Sequence, residues 1–141
     1  MNENVVQARL KEARVARLAT QDAEGRPHVV PICYAYDGQS FYTPLDLKPK
    51  RLPVESLARV RHIRANPHVA LLVDEYDEDW GKLWYILVRG KAEILLEGAE
   101  RTEALALLRE KYPQYASGEL LPEDAPVIRI SPVRIIPWGR E

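Results

Sequence analysis

"HVVPICYAYDGQSFYT", residues 28–43, decides the fold. Two β-branched and aromatic runs, 28–36 and 39–43, flank Asp37-Gly38. That dipeptide supplies the backbone freedom a tight hairpin needs, so the stretch predicts two antiparallel strands. Pro31 has no N–H to give a central ladder, which puts the first strand at a sheet edge or at a bulge.

Working outward, the same alternation recurs. "VARLAT" (15–20) leads through a Gly25 turn into the first strand of the hairpin. Further strands are predicted at "HVALLV" (68–73), "LWYILVR" (83–89), "KAEILL" (91–96), "VIRI" (127–130) and "VRIIPW" (133–138), with Gly90 marking a kink or bulge. Helical spacing appears in three places. Asn4 is placed to cap a short helix carrying Val6, Leu10 and Ala13. A second helix opens at Pro53 or Ser56 and ends before Pro67, with Leu57, Val60 and Ile63 inward. "AERTEALALLREKY" (99–112) sets Leu105, Leu108 and Tyr112 on one stripe. Residues 112–126, with three prolines and a glycine, read as one long loop. About seven short strands joined mostly by tight turns suggest an α+β, mainly β protein: an antiparallel barrel with two or three covering helices. No strand-helix-strand alternation, Walker loop or Gly-x-Gly-x-x-Gly is present, so any phosphate must be held by side chains.

The bulk properties narrow the partners. The 141 residues suit one domain, 1–141, and a net charge of −1 gives no general attraction for nucleic acid or an anionic membrane. The single cysteine, Cys33, excludes an intrachain disulfide. The first twenty residues carry charges every few positions, unlike a signal peptide or membrane span, so a cytoplasmic protein is expected.

"FYTPLDLKPKR" (41–51) follows the hairpin directly. Thr43 offers a hydroxyl, while Lys48, Lys50 and Arg51 put three cations beside Pro44 and Pro49. From Lys48 to Arg64 six Lys/Arg face the single Glu55. One reading is a solvated turn followed by an arginine-faced helix. The other is a phosphate grip, since phosphate favours several charge-assisted donors on a stiffened loop.

The three histidines, 28, 62 and 68, lie on different elements with no i, i+4 pairing, so no metal is expected. "DEYDED" (74–79) lacks the glycine and spacing of a calcium loop and reads as a solvated turn. Trp80, Trp84 and Trp138 are either core residues or the walls of a flat aromatic ligand.

These pieces together resemble the pyridoxamine 5′-phosphate oxidase-like, flavin-binding split-barrel family. The matching segments are "ARLAT", "GRPHVVPICYAYDG", "FYT", the basic loop, "RHIRANPHVALLVDEY" and "VRGKAEIL". Within it, "LKPKR" and "DEDWGKLWY" are most similar to the small proteins classed as deazaflavin (coenzyme F-420)-dependent. The resemblance implies a homodimer of six- to eight-stranded split barrels with FMN or deazaflavin bound between the subunits. It places the cofactor phosphate at Tyr42, Thr43, Lys48, Lys50 and Arg51, with Arg59 and Arg64 as weaker candidates. The ring lies along Val29, Val30, Pro31 and Ile32, with the tryptophans Trp80 and Trp84 of the partner subunit near it; Trp138 and Arg140 correspond more loosely to the oxidase's final Trp and Arg. The second strand has no lysine or arginine between His28 and Tyr36, unlike the true oxidase, so pyridoxamine phosphate is not the expected substrate. The implied activity is hydride transfer to a small organic molecule, with no compelling acid or base beyond His28 and Tyr85. The alternatives are a non-catalytic FMN- or haem-binding protein and, weakest, a nucleic-acid binder using the arginine face of helix 56–66.

Overall fold

The computed structural model describes residues 1–45 and 53–140. Seven strands form one antiparallel sheet: β1 (Ala16–Gln21), β2 (Pro27–Ile32), β3 (Ala35–Tyr36), β4 (Phe41–Pro44), β5 (His68–Glu75), β6 (Trp84–Leu95) and β7 (Val127–Gly139). Their order across the sheet is β2-β1-β5-β6-β7-β4-β3. The two edge strands, β2 and β3, are separated in the chain by only Cys33 and Tyr34, a link that spans little more than about 10 Å. The sheet must therefore curl until its edges meet at that corner, which gives the split barrel. Pro31 sits on the edge strand, as its missing donor requires.

The predicted first strand of the hairpin is thus two strands broken at the corner. The break is held from outside. Tyr112 Oη accepts from Tyr34 N–H at 3.1 Å and donates to the Arg14 carbonyl at 2.8 Å, and Tyr34 donates its own hydroxyl to the Leu10 carbonyl. The turn spans Asp37 to Ser40 rather than two residues: Asp37 Oδ1 accepts Gln39 N–H and Ser40 N–H, and Gly38 takes φ +96°.

Elsewhere, predicted pairs of strands are continuous. β6 runs through Gly90 and β7 through Pro132, with a register shift at Arg89/Gly90. A Cβ on Gly90 would lie 2.7 Å from the Ser131 carbonyl oxygen and 2.9 Å from Ile130 Cγ2, so the bulge needs a residue without one. Gly90→Ala is expected to destabilise the protein by about 1–3 kcal/mol in urea unfolding; an unchanged midpoint would show that the ladder relaxes freely there.

Three α-helices pack on the curled sheet: α1 (Glu3–Glu12), α2 (Ala58–Ala65) and α3 (Ala99–Lys111). The cap of α1 is Asn2, whose side chain accepts Val5 N–H, rather than Asn4. α2 begins at Ala58 after a 3₁₀ turn at Val54–Ser56, so Leu57 is its cap residue. α1 closes the main core with Val6 and Leu10, and α2 with Val60 and Ile63; α3 builds a second cluster with Tyr42, Tyr115 and Leu121. The segment 112–126 is partly ordered by that cluster, including a 3₁₀ turn at Pro113–Tyr115. Among the described residues no helix is long and apolar enough to cross a membrane.

Candidate functional site

β2 presents alternate side chains to opposite faces. Ile32 enters the core and Val30 packs against it, while Val29, 63% exposed, and Pro31 point outward. On that outer face Val29 pairs with Ala19 and Pro31 with Arg17, whose guanidinium bonds Asp74 at 2.8 Å. As an edge, β2 also keeps a row of backbone groups free of the ladder.

The end of β4 meets the end of β2. Thr43, 2% exposed, donates its hydroxyl to the Cys33 carbonyl at 2.8 Å. Leu45 is fully buried and its N–H donates to the Pro126 carbonyl at 2.9 Å. The chain therefore enters the cationic stretch from a fixed point beside the C-terminal end of β2. Lys48, Lys50 and Arg51 themselves lie outside the described residues.

Tyr42 points to the other side of β4, under α3. Its hydroxyl donates to Glu100 Oε2 at 2.7 Å, and Glu100 also accepts from Arg129 Nη1 at 2.7 Å, while Arg129 reaches Glu93 as well. Burial, then the Glu100 bond, pushes the Tyr42 phenol well above its usual range, so it stays protonated.

The tryptophans separate. Trp84 is 8% exposed and belongs to the core; its indole N–H donates to Glu75 at 3.2 Å and the Arg9 guanidinium lies 4.5 Å above its ring. Trp80 is 73% exposed on the β5–β6 turn. Trp138 stacks on Tyr85 across β6–β7, centroids 5.5 Å apart, on the outer face. Arg64 is held by Glu55 through two bonds, 2.9 and 3.2 Å, which hold its guanidinium in its charged form.

Sequence reading did not single out Arg17, Arg89 and Arg134, which share the outer face with Tyr85 and Trp138. Period-2 alternation along β6 and β7 is the signal that would have gathered them.

His28 and His62 lie on different elements, as expected, and their rings meet at a tilt of 42° with centroids 4.4 Å apart, bringing β2 against α2. His62 Nδ1 and Thr20 Oγ1 are hydrogen-bonded at 2.9 Å, and His28 Nε2 lies 3.9 Å from Asp22 Oδ2. Burial, then the neighbouring His28, holds His62 below its ordinary 6.5. Above that pH both folded and unfolded chains carry it neutral. Below it the unfolded chain takes the proton first, so stability falls with pH. Tm should drop between pH 7.5 and 5.5, and His62→Gln should flatten that difference; an equal drop in the variant would assign it elsewhere.

This barrel and its corner place the chain within a known class: it belongs to the pyridoxamine 5′-phosphate oxidase family, whose model matches residues 3–139. Among curated proteins it is similar to the 5a,11a-dehydrotetracycline/5a,11a-dehydrooxytetracycline reductase of Streptomyces rimosus subsp. rimosus. The two are 29% identical over 136 residues, covering 94% of this chain and 79% of that protein. Among solved structures it resembles an FAD-binding protein of Mesorhizobium loti (TM-score 0.75, 23% identity, 97% and 92% of the chains covered). It also resembles an F420 reductase (TM-score 0.64, 24% identity, 92% and 94% covered).

Proposed function

We propose that the chain is an oxidoreductase that binds a flavin-type cofactor, deazaflavin coenzyme F-420 or FMN, and passes hydride to a small organic substrate. The observation that carries this reading is the Thr43–Cys33 bond. It starts the cationic stretch at the end of β2, so one molecule can lay a flat ring along Val29 to Ile32 and reach Lys48, Lys50 and Arg51 with its phosphate. The outer side chains fit such a ring, since Val29 and Pro31 are exposed and apolar and Ala19 is small.

When bound, the cofactor supplies the hydride-carrying atom, N5 of a flavin or C5 of a deazaflavin. The chain's own residues bind and orient. Edge N–H groups of β2 are available to the ring's polar rim, except at Pro27 and Pro31, which have none, and Val29 and Pro31 keep water from one ring face. His28 packs against His62 and Tyr85 stacks on Trp138, so neither is assigned a proton-transfer role. Support for the reaction class comes from the reductase relative and the F420 reductase fold neighbour.

The same reading includes a homodimer with the site between subunits. Leu72, Leu87 and Ile136 line up across β5, β6 and β7 on the outer face and are only half-buried in one chain. A second copy would bury them, and an obligate interface covers more than about 2,000 Å².

Titration tests the cofactor reading. FMN or F420 should bind at least about tenfold more tightly than riboflavin or a dephosphorylated deazaflavin, the effect of one charge-assisted phosphate contact. Equal affinity for riboflavin and FMN, with no deazaflavin binding, would remove it.

A further inference from the structure

We propose that the small organic substrate is an organic acid, its carboxylate held by Arg89 and Lys91 in a groove on the outer sheet face. The inference rests on the reading above, which lays the ring along β2, and it adds the class of substrate.

The groove encloses about 520 Å³ above β1, β5 and β6. Its floor is made of small residues, Ala19, Ala70 and Gly90 among them, and Pro27 extends the apolar lining. Arg89 and Lys91 stand at one side of it. Such a lining leaves room for a flat apolar body and offers polar anchors for only one end of it.

Those anchors are unanswered. Arg89 lies directly opposite Arg134 across β6–β7, and Lys91 follows two residues later on the same exposed face of β6. Like charges opposite one another across strands are unfavourable unless something answers them. Among the described residues, no side chain hydrogen-bonds or ion-pairs with Arg89, Lys91 or Arg134. The carboxylates on or beside this face are committed elsewhere. Asp74 pairs with Arg17 and Glu93 with Arg129, while Asp22 and Glu24 in the β1–β2 turn pair with Arg26. Free cations beside an apolar cavity suit a ligand that carries a carboxylate on an apolar body. The guanidinium fork can take that carboxylate through two parallel N–H···O bonds, and Lys91 adds a further donor.

The strand order ties this groove to the ring. Val29 pairs with Ala19, Ala19 with Ala70, and Ala70 with Arg89. One row of residues therefore runs from the strand proposed to hold the ring to the free guanidinium. Two strand spacings, roughly 10 Å, separate Ala19 from Arg89. An acid seated on Arg89 lays its body over Ala70 and Ala19 and brings its far end beside Val29. A double bond at that end takes up the hydride carried by the reduced cofactor on one atom and a proton from water on the other, leaving the cofactor oxidised.

The probe that tests this is trans-cinnamate, an apolar ring bearing a conjugated double bond and a carboxylate, compared with uncharged trans-cinnamamide. An NMR titration of the full-length chain is run at low ionic strength, where exposed charges act most strongly. Cinnamate should bind at least about tenfold more tightly than the amide, the effect of one charge-assisted contact, and should shift amides in residues 19–21, 68–70 and 89–91. Arg89→Gln, with an unchanged melting temperature, should abolish the preference and leave the affinity for FMN or F420 as it was. Equal binding of acid and amide, shifts that spare these residues, or a preference that survives Arg89→Gln would overturn the proposal. Acetate bound as tightly as cinnamate would mean an adventitious ion only, and would overturn it too. A protein that holds cinnamate here yet binds neither FMN nor F420 would overturn the hydride-transfer reading while supporting the acid site.

Discussion

A chain carrying Lys50→Ala and Arg51→Ala together is expected to bind FMN or F420 about a hundredfold more weakly than the unaltered protein, with the same melting temperature. Each charge-assisted bond to a phosphate contributes roughly 1.5–3 kcal/mol, and every 1.4 kcal/mol is about tenfold. The fold should be indifferent because the framework on either side is anchored without these side chains. Leu45 is bound to Pro126 before them, and Ser56 N–H donates to the Pro53 carbonyl after them. Spectral titration measures the affinity. Undiminished binding would return the cations to the role of a solvated turn, and a lower melting temperature without a binding change would make them structural.

The second large effect is on stability. Phe41→Ala should cost about 3–5 kcal/mol in urea unfolding, the range for a deleted core aromatic. Phe41 is fully buried, stacks on Tyr36 with centroids 4.2 Å apart and lies 5.9 Å from Tyr34, so it joins both sides of the barrel corner. It also positions Tyr42 and Thr43, the next two residues of β4. Loss of cofactor affinity should accompany the lost stability in this variant, whereas the Lys50/Arg51 variant should separate the two. A cost below about 1 kcal/mol would mean that the corner repacks around the cavity.

How far the sequence disclosed this arrangement depended on how local the determinant was. The edge position of β2 was legible because Pro31 lacks a donor, and the Gly90 bulge because a glycine interrupts an alternating run. The split of residues 28–36 was not, because the break at Cys33 and Tyr34 is imposed by Tyr112, 78 residues beyond Tyr34. β6 and β7 were each read as two strands, yet the ladder between them is continuous and only shifts register at Arg89/Gly90. Of the candidate site, the apolar strip of β2 was legible, while Thr43, read from sequence as a phosphate contact, spends its hydroxyl on the Cys33 carbonyl. The division among tryptophans was hidden: nothing local distinguishes Trp84, sunk into the core beneath Arg9, from Trp80 four residues earlier. The outer-face arginines were equally hidden, since Arg17, Arg89 and Arg134 become neighbours only once the strand order is known.

Hydrogen exchange, compared with and without saturating FMN or F420, tests most directly where the cofactor sits. The account predicts slowed exchange of backbone amides in residues 28–32, the edge strand, together with 42–52 and the β5–β6 turn. Protection confined to α1 and α3, with β2 exchanging as fast as in the free protein, would contradict it.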